Sequence, residues 1–98
     1  MIILHVTYHL LKNNGKEYVD ALEASGIPGL CREEDGNIRY DYFYSAASED
    51  QVLLVEVWRD KEALERHKET EHFQKLGQYK DQFVKETDIV RFSAEEYR

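Results

Sequence analysis

An α+β fold built on a four-stranded antiparallel sheet is what this 98-residue chain predicts, and three observations carry it. Apolar runs of strand length open the chain, occupy its middle and close it. Stretches with helical spacing separate them. The resulting order, β-α-β-β-α-β, is the split arrangement of a ferredoxin-like fold, in which two helices cover one face of the sheet. The length leaves room for a single core, so residues 1–98 are read as one domain.

Residues 2–10, IILHVTYHL, are β-branched and apolar enough for a strand. Asn13, Asn14 and Gly15 supply turn chemistry, and either asparagine is a candidate cap for the helix that follows. From Lys16 to Ser25, Tyr18, Val19 and Leu22 share one helical face while Glu17, Asp20 and Glu23 lie outside it. Gly26, Pro28 and Gly29 interrupt that helix, and Leu30 and Cys31 resume a short turn before Asp35-Gly36. NIRYDYFYS at 37–45 then alternates, placing Ile38, Tyr40, Tyr42 and Tyr44 on one face. VLLVEVW at 52–58 is apolar on both faces, which predicts a strand covered twice and puts this hairpin at the centre of the sheet. Asp60 caps a helix from Lys61 to about Glu69, and Thr70 caps a second one through Phe73, Leu76 and Tyr79. Residues 83–92, FVKETDIVRF, form the last strand, and the chain ends in a loose tail over 92–98.

Charge and composition exclude several functions. Thirteen Lys and Arg against 20 Asp and Glu give −7, with no basic stripe, so nucleic acid is not an expected partner. The same balance disfavours strongly anionic small molecules unless a local pocket overrides it. No apolar stretch approaches the roughly 18 residues of a membrane span. Met1 leads straight into a strand without the basic start or cleavage site of a secretory leader, and the lone Cys31 has no internal disulfide partner. The expected location is the cytoplasm. Two helices leave the second sheet face open, and Leu53, Val55 and Val57 make it apolar, so a homodimer packed sheet on sheet is expected.

Glu56 and Trp58 share one face of a central strand, where a carboxylate is costly without a partner. Two readings stand: an ion pair with a helix residue such as Arg66 beside a core tryptophan, or a pocket wall for a flat ligand. His67 and His72 are either hydrogen-bonded structural residues or a general base near neutral pH. Their spacing of five is wrong for one helix face, and no metal site is expected. Tyr40, Tyr42 and Tyr44 are packing residues or donors to a quinone-like oxygen. With no phosphate loop and no dinucleotide motif, nucleotide cofactors have no seat.

Gly36-Asn37-Ile38-Arg39-Tyr40-Asp41, then Glu56-Val57-Trp58, then His67-x-x-Thr70-x-His72-Phe73 resemble the antibiotic biosynthesis monooxygenase family, and within it the small quinol-monooxygenase-type members. The resemblance runs from about residue 2 to residue 92. It implies a dimeric α/β barrel of ferredoxin-like subunits, a pocket between sheet and helices, and oxygenation of a quinol- or anthrone-like aromatic by dioxygen without metal or flavin. By family position Trp58 and Phe73 bind the substrate, Asn37 or Tyr42 donates to its oxygen, His67 or His72 handles the proton, and Glu56 orients one of them. Haem-degrading relatives place an asparagine in the first strand and a histidine late in the second helical region, and both are missing here. A branch acting on phosphorylated autoinducer-2 breakdown products shares the Gly-Asn start and the run His67-Lys68-Glu69-Thr70-Glu71-His72, which leaves an isomerase as the alternative. A non-catalytic dimer that holds an aromatic ligand is the third. The stretch Ser25-Gly26-Ile27-Pro28-Gly29 departs from close relatives by interrupting and lengthening the first helical segment.

Overall fold

The computed structural model describes residues 1–98. Eight elements follow one another: β1 (Ile2–Leu10), α1 (Gly15–Ser25), α2 (Ile27–Glu33), β2 (Asn37–Tyr44), β3 (Gln51–Trp58), α3 (Lys61–Lys68), α4 (Glu71–Phe83) and β4 (Val84–Ser93). The strands form one antiparallel sheet in the order β2-β3-β1-β4, the ferredoxin-like topology. The hairpin of β2 and β3 is thus off centre. β1 and β3 are the inner strands and β2 is an edge, because the crossover through α1 and α2 returns the chain on the far side of β3.

Alternation decides which side chains enter the core. In β1, Leu4, Val6, Tyr8 and Leu10 face the helices and are buried. Across the β1–β3 register they stand beside Glu56, Leu54 and Val52, with Trp58 opposite Ile2. Ile3, Phe43, Leu53, Val55, Val57, Val90 and Phe92 turn to the other face, where Phe43, Val90 and Phe92 are exposed. Ile38 breaks the expected alternation in β2. The register shifts between Asn37 and Arg39, and this bulge pushes Ile38 outward to 59% exposure while Tyr40 keeps its inward place.

Helix ends follow local chemistry. Asp60 Oδ1 accepts from the Ala63 backbone N–H at 2.8 Å to start α3, and Thr70 Oγ1 accepts from that of Phe73 at 3.2 Å to start α4. Asn14 precedes α1 without capping it: its amide nitrogen donates to Glu17, while its Oδ1 is buried without a partner. Gly26 separates α1 from α2 with a left-handed φ of 81°, which glycine adopts freely. Gly36 (φ 89°) is constrained twice over, since a Cβ there would meet the Ala63 Cβ at 2.5 Å. That contact lets the turn before β2 sit against α3. The strand β4 continues through Ser93, so the irregular tail starts at Ala94, whose backbone bonds Met1. No helix is long and apolar enough to cross a membrane.

Candidate active site

Four elements converge under α3. The strand β3 turns Glu56 and Trp58 inward together, because residues two apart share a face. Trp58 Nε1 donates to Glu56 Oε1 at 3.1 Å, and both residues are buried. In α3, Ala63, Leu64 and His67 form the inward stripe, which carries His67 to 1% exposure. Its ring lies 4.6 Å from the Trp58 ring, tilted by 35°. Helix α2 directs Ile27 and Cys31 inward, and Glu34 at its C-terminal end continues the same i, i+4, i+7 face.

Glu34 organises the cluster. Its Oε2 lies 2.6 Å from His67 Nδ1 and 2.8 Å from His72 Nε2. Thr70 explains how two histidines five apart meet one carboxylate. Its hydroxyl donates to the His67 carbonyl at 2.7 Å and caps α4, so the histidines sit on two helices joined at a fixed corner. An ionised Glu34 accepts a proton-bearing nitrogen from each ring, which puts the His67 lone pair on Nε2. That nitrogen points toward Glu56, 3.8 Å from its Oε1. A carboxylate behind one ring nitrogen and an open acceptor on the other is the arrangement of a general base whose tautomer is held.

Burial pushes the Glu56 carboxyl above its usual range, with the Trp58 N–H and the His67 ring opposing that shift. Glu56 therefore holds its proton more tightly than an exposed carboxyl does. Both groups line a cavity of about 100 Å³ between sheet and helices, walled by Leu4, Tyr8, Tyr40 and Phe73. A wider trough of about 440 Å³ adjoins it, sharing Leu64, Lys68 and Arg91. Ligand atoms of Cys31, Glu34, His67 and His72 lie within 4.8 Å of one another, so this set is the place where a divalent cation would find donors. Burial pushes the Cys31 thiol up to about 12, so the sulfur keeps its proton at neutral pH.

The residues singled out from sequence fall into three places. Glu56, His67 and Phe73 line the cavity, with the Phe73 ring edge-on to His67 at 5.0 Å. Trp58 and His72 stand one layer back: the indole, 0% exposed, supports Glu56 and His67, and His72 holds Glu34 from the outer side. Asn37 and Tyr42 do not reach the cavity wall. Asn37 donates to the Arg39 carbonyl, while Tyr42 packs edge-on to Tyr40 with its hydroxyl buried and unpartnered. Arg66 is not the partner of Glu56; it pairs with Asp35 at 3.6 Å. Sequence reasoning passed over Glu34, which sits in the charged run Arg32-Glu33-Glu34-Asp35. The helical spacing Ile27, Cys31, Glu34 was the signal that one of those acids faces inward.

Known proteins resemble this chain in sequence and in fold. Residues 1–78 match the family described as antibiotic biosynthesis monooxygenase. The chain is 30% identical over 92 residues to the "Putative monooxygenase YcnE" of Bacillus subtilis, covering 93% of this chain and 95% of that one. Among solved structures it is similar to PA3566 from Pseudomonas aeruginosa, with TM-score 0.77 and 25% identity over 97% of this chain and 94% of that one. A conserved protein from Methanosarcina mazei shares the fold, with TM-score 0.83 and 18% identity over 96% and 92% of the two chains.

Proposed function

The chain belongs to the antibiotic biosynthesis monooxygenase family, and on that premise we propose that it is a cofactor-independent monooxygenase oxidising a small quinol- or anthrone-like aromatic with dioxygen. The observation that carries the reading is His67, held by Glu34 at 2.6 Å on Nδ1 with Nε2 turned toward Glu56 and a mostly apolar cavity. Nε2 takes the phenolic proton of the substrate. The resulting electron-rich anion reduces dioxygen, and a carbon–oxygen bond forms on the ring. The ring hydroperoxide then loses water, the ring C–H proton leaving with the distal oxygen, and the product is a hydroxyquinone. One dioxygen atom thus enters the product and the other becomes water, with all electrons drawn from the quinol. In this reading Glu56 donates from its carboxyl to the oxygen that gathers negative charge, a role that the upward shift from burial favours. Trp58 and His72 position Glu56 and Glu34. The apolar walls keep water from the anion.

The reading includes a homodimer through the outer sheet face, supported by Phe43, Val90 and Phe92 exposed beside Leu53, Val55 and Val57. It places the protein in the cytoplasm as a reduced chain with its one thiol buried. The test is oxygen uptake by metal-stripped, flavin-free protein supplied with a hydroquinone, corrected for autoxidation. Wild type consumes oxygen above background, His67→Gln loses the excess, and Glu34→Gln retains part of it with a shifted pH profile. Equal uptake by wild type and His67→Gln sinks the assignment of the base. Conversion of a phosphorylated carbonyl compound without oxygen uptake moves the chain to the isomerase alternative, and binding alone moves it to the ligand-holding one.

A further inference from the structure

We infer that the substrate is a single oxidisable ring bearing a short anionic arm, a carboxylate or a phosphate, which Lys61, Lys80 and Arg91 hold at the pocket mouth. The ring rests on the oxygenase reading above; the arm rests on the placement of cations and stands apart from it. The chain is acidic, −7 overall, and eight of its 13 Lys and Arg residues lie within 4.0 Å of a carboxylate. Five do not: Lys12, Lys61, Lys80, Lys85 and Arg91. Three of these five line the two adjoining cavities, Lys80 and Arg91 the inner one and Lys61 and Arg91 the outer trough. They come from three elements, α3, α4 and β4, so no local sequence pattern gathers them. Facing them are two carboxylates. Glu65 is already paired with Lys68 at 3.3 Å, and Glu56 lies at the inner end with Trp58 and His67, close enough to Lys80 to feel its charge but beyond ion-pair distance. Uncompensated cations repel one another and need a counter-charge, and a bidentate arginine with a lysine beside it suits a carboxylate or phosphate.

Size sets the other half of the inference. An apolar cavity of about 150 Å³ accepts benzene. The inner cavity, about 100 Å³, is on the scale of one ring and leaves no room for a fused second or third. The outer trough of about 440 Å³ takes the rest of the molecule, and the two are joined past Lys68 and Arg91. A ring seated against His67 thus sends its substituent out between Lys61, Lys80 and Arg91.

The experiment compares methylhydroquinone, 2,5-dihydroxyphenylacetate, 2,5-dihydroxybenzyl phosphate and a carboxylated naphthohydroquinone in the oxygen-uptake assay. A charge-assisted contact predicts a KM about tenfold or more lower for an anionic single-ring compound than for the neutral one. The arm with the lower KM identifies carboxylate or phosphate. The preference weakens as salt is raised and vanishes in the Lys80→Gln, Arg91→Gln double variant. Lys85→Gln, an unpaired lysine outside both cavities, keeps it. Equal KM values for neutral and anionic rings overturn the arm, and equal handling of the naphthohydroquinone overturns the single ring. Should none of the four consume oxygen, the oxygenase reading fails. Anaerobic calorimetry with the same compounds then decides the arm. Tighter binding of the anions that depends on Lys80 and Arg91 supports it, and equal affinities overturn it.

Discussion

The two halves of the space between sheet and helices are filled in opposite ways. Under α1, Leu10, Tyr18, Leu22 and Phe83 pack with almost no polar interruption; the Tyr18 ring meets that of Phe83 at 5.5 Å and, at the border with the other half, that of Tyr8 at 5.3 Å. Under α3, the same sheet face presents Glu56, with His67, Glu34 and His72 chained behind it. Apolar side chains of equal volume would stabilise that second half at least as well, since buried carboxylates and imidazoles lose hydration that pairing only partly restores. Stability accounts for the first half. The second makes sense as chemistry under the proposed function, in which its hydrogen bonds fix one imidazole in one tautomer.

That division has consequences that differ in kind and size. Replacing His67 by Gln, which keeps a donor toward Glu34, lowers turnover by about 10²–10⁴-fold while thermal unfolding stays near wild type. In the other half the pattern reverses: Leu22→Ala costs about 2–5 kcal/mol in chemical denaturation and leaves kcat of the folded fraction unchanged. A Leu22→Ala variant that lost activity while still folded would erase the distinction.

Glu56 sets the two halves apart through pH. Burial raises its folded-state pKa above the unfolded value, so the folded protein holds this proton more tightly than the unfolded chain does. Its contribution therefore makes stability fall as pH climbs from the ordinary carboxylate range toward the raised value. Glu56→Gln removes that slope, measured as unfolding free energy against pH; an unchanged slope would assign the dependence to another group. The smallest effect belongs to Asp60, outside both halves. Asp60→Ala removes the α3 cap and costs about 0.5–2 kcal/mol with the site chemistry intact, read by denaturation and oxygen uptake on the same sample.

What was legible in the sequence was what neighbouring residues decide. Apolar, β-branched runs mark Ile2–Leu10 and Gln51–Trp58, alternation marks Asn37–Tyr44, and Asp60 and Thr70 announce their helices because a cap acts within three residues. The element order was enough for the topology, though the position of β2 at the edge depended on how the α1–α2 crossover returns. Ile38 escaped because a bulge breaks period two without any residue signal. The site was half legible. His67, Glu56 and Phe73 could be named, but the bond from His67 to Glu34 spans 33 residues, and only its helical spacing from Ile27 and Cys31 sets Glu34 apart from its exposed neighbours Glu33 and Asp35. Trp58 was readable as part of the site and unreadable in its layer, since a residue facing the helices can either line a cavity or support what lines it.

The most direct measurement supplies isotopically heavy dioxygen to metal-stripped wild type and His67→Gln with a single-ring hydroquinone, and weighs the products. One heavy oxygen atom is expected in the wild-type hydroxyquinone and the other in water, with no enzyme-dependent product from the variant. A wild-type product without heavy oxygen, or labelling that is equal in the two proteins, would contradict the proposed function.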